Sequence, residues 1–137
     1  MKNVALILIS HGQMAVGTLA SAEMIVGKIE NAYAFSMDPR DAVEGIKEKL
    51  KEVVKSVKEF EHLFVMVDII GGTPCNVALM ELYGEKNSQI ISGFNLAMLL
   101  EFASYKETDI NLFKQHIIEA GRSQIKDLKM ELMGVEK

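Results

Sequence analysis

Two polar side chains in this sequence sit where buried apolar runs end, and their types suit a defined chemistry. His11 follows the run Val4-Ala5-Leu6-Ile7-Leu8-Ile9 after one serine, Ser10, and precedes Gly12. Asp68 closes the run Leu63-Phe64-Val65-Met66-Val67 and leads through Ile69-Ile70 into Gly71-Gly72-Thr73-Pro74. A neutral imidazole is a nucleophile when one nitrogen is held as a donor and the other keeps its lone pair. A carboxylate that accepts the N–H fixes the tautomer and stabilises the positive charge that develops on attack. Glycines let backbone approach an anion closely, and a helix N-terminus favours negative charge. These parts together suit transfer of a phosphoryl group onto and off a histidine, which is mostly positioning and electrostatics.

Each part also has a plainer reading. An aspartate after a strand commonly caps its own turn, and paired glycines usually mark turns. Cys75 reads as a small buried residue, with no His or Asp pattern around it to activate a thiol. His62 precedes its apolar run, which puts it at the opposite edge of a sheet from His11 and on the surface. His116 falls within a helical pattern, in a structural or solvent-facing place. No GxxxxGK sequence is present, so ATP is not the natural donor. No set of His, Cys and carboxylates has metal-ligand spacing, and neither metal nor cofactor is expected.

The chain must then supply a scaffold. Its 137 residues make one domain of ordinary size, and 49% hydrophobic content is enough for a core. A net charge of −4 offers no basic patch for nucleic acid. A single cysteine excludes an intramolecular disulfide framework and fits a reducing compartment. The N-terminal apolar run is too short to span a bilayer, so a cytoplasmic protein without membrane insertion is expected.

Runs buried on both faces are the strands of a parallel sheet. The first strand is the Val4 run and the third the Leu63 run; a short second lies near Ala32-Tyr33-Ala34-Phe35 and a fourth near Gln89-Ile90-Ile91. Helices fill the intervals. One runs from about Met14 to Val26 and ends at Gly27. In the next, Asp38 is expected as N-cap and Pro39 as first helical residue, with Val43, Ile46, Leu50, Val53, Val54 and Val57 on one face. Its lysines and glutamates form a solvated face. Thr73 is expected to cap a helix that Pro74 opens and Gly84 closes. Asn95 suits the start of a very apolar helix, and Thr108 or Asp109 that of a last long one. The tail, about residues 125–137, alternates weakly through Ile125, Leu128, Met130 and Leu132, and is expected as an antiparallel edge strand or a subunit-crossing arm.

Alternating strands and helices predict a doubly wound α/β fold with a mainly parallel four-stranded sheet, order 2-1-3-4, as one domain over residues 1–137. That order makes the first and third strands neighbours. His11 and Asp68 then leave the same sheet edge at the switch point, where such folds place their ligands.

Three stretches carry a resemblance across the whole domain. Ser10-His11-Gly12-Gln13-Met14-Ala15, with Gly17 and Ser21 to Gly27, resembles the phospho-acceptor region of the mannose-family EIIA component of the phosphoenolpyruvate-dependent sugar phosphotransferase system. Asp68 to Asn76 resembles its second motif, and Gly93-Phe94-Asn95-Leu96-Ala97-Met98-Leu99 its third. The resemblance implies that His11 takes a phosphoryl group from the histidine phosphocarrier protein and passes it to an EIIB partner. It implies that Asp68 orients the imidazole, that Ser10, Gly71, Gly72 and Thr73 form the phosphoryl-binding group, and that the protein is a homodimer. Cys75 stands where an aromatic residue is common and Ala97 where proline is common; these departures bear on partner surface and sugar class rather than mechanism.

Some relatives continue through a linker into EIIB. No linker follows here, so a separate EIIB polypeptide is expected. Two other readings compete. A regulatory binding domain of the same fold would use His11 phosphorylation only as a switch; the absence of a fused DNA-binding or ATPase domain argues against it. An unrelated flavodoxin-like module would hold a nucleotide phosphate at Gly71-Gly72. A cofactor retained on purification would favour the latter.

Overall fold

The computed structural model describes residues 3–104, 106 and 108–135. In chain order the elements are β1 (Val4–His11), α1 (Met14–Val26), β2 (Ala32–Met37), α2 (Val43–Ser56), β3 (His62–Val67), α3 (Thr73–Leu82), β4 (Ser88–Ser92), α4 (Leu96–Ser104), α5 (Ile110–Ser123) and α6 (Leu128–Val135). The strands form one parallel sheet in the order β2-β1-β3-β4, as the alternation of elements predicts.

Side chains alternate across a strand, so β1 feeds two cores. Val4, Leu6 and Leu8 pack with Phe64, Met66 and buried residues of α1, α4 and α5. Ala5, Ile7 and Ile9 pack with Val65, Val67 and buried residues of α2 and α3. Every residue from Val4 to Ser10 is buried, which is why this strand shows no polar alternation. Cys75 lies in the second core. Among the described residues no helix is long and apolar enough to cross a membrane.

Three local expectations are corrected. α2 starts at Val43 with Ala42 as its N-cap, not at Asp38-Pro39. The Asp41 N–H donates to the Asp38 carbonyl at 2.9 Å and the Asp38 N–H to the Asp41 carboxylate at 2.7 Å, so residues 38–41 close a turn instead. Asp-Pro suits the first two places of a β-turn as well as a helix start, and here Lys49 decides. Its ammonium donates to Asp41 at 2.8 Å and to the Ser36 carbonyl at 2.9 Å, tying the turn to α2. That bond to Lys49 also holds the Asp41 carboxyl below its ordinary value. In the second correction, Gly72 is the N-cap of α3, and Thr73 its first residue.

The third concerns the tail, which is helical rather than an edge strand. The Asp127 carboxylate accepts the Met130 N–H at 3.0 Å and caps α6. Leu128 and Leu132 are a helical turn apart, a spacing that fits this state as well as the weak alternation fits a strand. Leu128, Met130, Leu132 and Met133 join neither core and are exposed. Two other caps match expectation. The Asn95 side-chain carbonyl accepts the Met98 N–H, and the Asp109 carboxylate accepts from Asn111 and Leu112.

Candidate functional site

β1 and β3 are paired from Val4–His62 to Ile9–Val67, so their carboxyl ends finish side by side. This register brings His11 to Asp68. The His11 Nδ1 lies 2.7 Å from Asp68 Oδ2, and the His11 backbone N–H donates to the same oxygen at 2.8 Å. A carboxylate only accepts, so Nδ1 carries the proton, and in the neutral ring Nε2 keeps its lone pair. Half of the His11 side chain, 51%, faces solvent, whereas Asp68 is 9% exposed. The other Asp68 oxygen accepts the Ile69 N–H at 3.0 Å. Asp68 therefore caps its own turn and grips the histidine at once. Burial pushes its carboxyl up, but the bonds from the His11 backbone and ring outweigh that, and it lies below its ordinary value.

The turn after Asp68 completes the edge. Gly71 has φ of 84°, a left-handed conformation in which a side chain is strained. Gly72 caps α3, whose first turn is Thr73-Pro74-Cys75. The Asn76 N–H returns to the Gly72 carbonyl at 2.9 Å, closing the first helical hydrogen bond. The backbone N–H groups of Thr73 and Cys75 have no acceptor one turn earlier, and Pro74 has no N–H. The result is a partly positive helix end beside a half-exposed imidazole.

The structure brings His11, Asp68, Gly71, Gly72 and Thr73 to one edge; the Ser10 hydroxyl is not there. Ser10 is fully buried, and its Oγ accepts the Ala15 N–H at 2.7 Å and donates to the Gly12 carbonyl at 3.3 Å. It braces the turn from β1 to α1 from inside. His62 opens β3 at the opposite edge, half-buried rather than on the surface, with its Nδ1 buried and unpartnered. His116 is exposed on α5. Among the described residues no three His, Cys, Asp or Glu side chains gather as metal ligands.

Sequence reasoning missed the apolar surface of this edge. Ile69 is 59% exposed, Ile70 78% and Met14 50%. The signal was present: Ile69 and Ile70 follow the polar end of a strand, in a turn, where the sheet cannot bury them.

Comparison with known proteins gives the family of the chain. The family model EIIA-man, described as "PTS system fructose IIA component", matches residues 5–118. The chain belongs to the EIIA-man family. It is therefore a component of a sugar phosphotransferase system. It is 29% identical over 104 residues to the fructose-specific EIIA component of Bacillus subtilis, covering 76% of this chain and 71% of that one. It is 28% identical over 129 residues to the mannose-specific EIIAB component of Escherichia coli K12, covering 92% of this chain but only 40% of that longer protein. A solved mannose/sorbose-specific IIA subunit from Enterococcus faecalis superposes with a TM-score of 0.83 at 35% identity, covering 91% of this chain and 94% of that one. This EIIA-man chain thus shares the fold of the solved IIA subunit it resembles.

Proposed function

We propose that this EIIA-man chain is a cytoplasmic phosphocarrier subunit in sugar uptake, with His11 as its acceptor. The observation that carries the reading is the 2.7 Å contact of Nδ1 with Asp68 beside a half-exposed ring. The Nε2 lone pair attacks the phosphorus of the phosphorylated histidine phosphocarrier protein. An N–P bond forms at Nε2, the bond to the donor nitrogen breaks, and the donor imidazole leaves with that electron pair. His11 becomes a phosphorylated imidazolium whose charge Asp68 offsets. The phosphoryl oxygens face the α3 N-terminus at Gly71, Gly72 and Thr73. Transfer to an EIIB partner runs the same step in reverse, with the EIIB nucleophile as acceptor. The exposed Ile69, Ile70 and Met14 form the apolar ground on which donor and acceptor dock in turn. The protein acts as a homodimer, with the exposed apolar face of α6 as the contact.

The test is incubation with phosphoenolpyruvate, enzyme I and the phosphocarrier protein. The expected product is one acid-labile, base-stable phosphoryl group per chain, mapped to His11 and not acquired from ATP. His11→Gln abolishes the labelling, whereas His62→Gln and His116→Gln do not. Label on the His11→Gln protein would overturn the assignment.

A further inference from the structure

The two adjacent glycines at the site are glycines for different reasons. Gly71 has φ of 84° and open space around the place of a Cβ. Gly72 has an ordinary extended backbone, φ −82° and ψ 170°, which any residue adopts. A Cβ at Gly72 would stand 2.7 Å from Cε1 of His11, 3.4 Å from its Nε2 and 3.2 Å from Cγ2 of Ile69. Real carbon atoms do not approach at 2.7 Å, so the ring or the turn would have to move. The ring is not free to yield, because Nδ1 is held by Asp68 at 2.7 Å.

We infer that Gly72 is a positioning residue for His11: its missing side chain is the space that lets the imidazole bond Asp68 through Nδ1 while Nε2 lies beside the start of α3. The backbone at Gly72 requires no glycine, so the contact with the ring is what selects one. Gly72 and Asp68 hold the ring between them, one by leaving room and the other by accepting a proton. The inference deepens the phosphocarrier reading, but it concerns ring geometry and is judged without phosphoryl transfer.

The experiment compares Gly72→Ala with the parent in two backgrounds, His11 and His11→Ala, with Gly71→Ala as control. Nitrogen NMR of His11 reports the Nδ1–H tautomer in the parent, and Gly72→Ala shifts it toward a mixture as the bond to Asp68 is lost. Gly72→Ala lowers Tm when His11 is present. It leaves Tm unchanged or raised in the His11→Ala background, where alanine meets only the exposed, movable end of Ile69 and restricts the unfolded chain. Gly71→Ala lowers Tm in both backgrounds. If Gly72→Ala folds only without His11, that outcome supports the inference as well. A Gly72→Ala protein that keeps the Nδ1–H tautomer, or loses the same Tm with and without His11, overturns it. In the phosphotransfer assay Gly72→Ala slows uptake by roughly tenfold or more through kcat, with KM for the carrier unchanged. A parent protein that takes up no phosphoryl group overturns the proposed function instead, and leaves the tautomer and Tm comparisons to decide this one.

Discussion

At the scale of the residue, one carboxylate oxygen does two things for His11: it accepts the backbone N–H and the ring N–H. Position and tautomer are thereby set together, which is why a single substitution at Asp68 has a readable effect. Asp68→Asn keeps the shape but presents a neutral group that can also donate, so the imidazolium loses its counter-charge. The expected result is a folded protein whose phosphoryl transfer is slower by roughly tenfold or more in both directions, measured with labelled carrier. Unchanged rates would reduce Asp68 to a turn residue. The pH dependence has a defined sign. The folded Asp68 carboxyl lies below its ordinary value of 3.8. Its contribution to stability is therefore complete above that value and is lost as pH falls through the folded pKa. Denaturant titrations of the parent and of Asp68→Asn should differ most above about pH 5, and the difference should shrink as the pH falls below that ordinary value.

At the scale of the element, the turn from β1 to α1 is what holds His11 at the rim. The chain leaves a strand that is buried through Ser10 and enters a helix after two residues, Gly12 and Gln13, Gly12 taking φ of 55° to do so. Ser10 supplies the acceptor for the Ala15 N–H, and both residues are fully buried. Ser10→Ala leaves that donor unsatisfied and should lower unfolding free energy by about 1–3 kcal/mol. Urea denaturation checks it; a change within experimental error would mean that the turn satisfies Ala15 otherwise. The Asp38-Pro39 turn is likewise held by side chains: Asp41 accepts from the Asp38 N–H and from Lys49 on α2, and α2 begins at Val43 with no side-chain cap bond at Ala42.

At the scale of the whole molecule, both faces of the sheet are covered by helices but the last helix covers nothing. Ile125 is 80% exposed, Leu128 71% and Leu132 73%, a run of apolar surface that a monomer leaves in water. Light scattering at micromolar concentration should give a dimer for the parent. Truncation after Gln124 should give a monomer that keeps the Tm of the parallel sheet domain, since neither core draws on the tail. A monomeric parent, or a dimer that survives the truncation, would remove the tail from the assembly.

Local patterns along the chain were enough for the frame of this protein. Uninterrupted apolar runs declare strands buried on both faces, and 3.6-residue periodicity declares α2. The carboxyl-end position of His11 and Asp68 then follows from sheet order, because both close such runs. The caps at Asn95 and Asp109 were legible for the same reason: a cap and the N–H it serves lie within three residues. What lies beyond that reach was decided by the tertiary structure. Asp38-Pro39 is equally good at opening a turn or a helix, and Lys49 chose between them. Leu128 and Leu132 suit a strand or a helix until Asp127 caps one of them. Ser10 beside His11 reads as part of the same site in the sequence, but in the fold its side chain is fully buried and accepts the Ala15 N–H. The contact of Gly72 with the His11 ring exists only because β1 and β3 are paired in one register, and no window of sequence contains both residues.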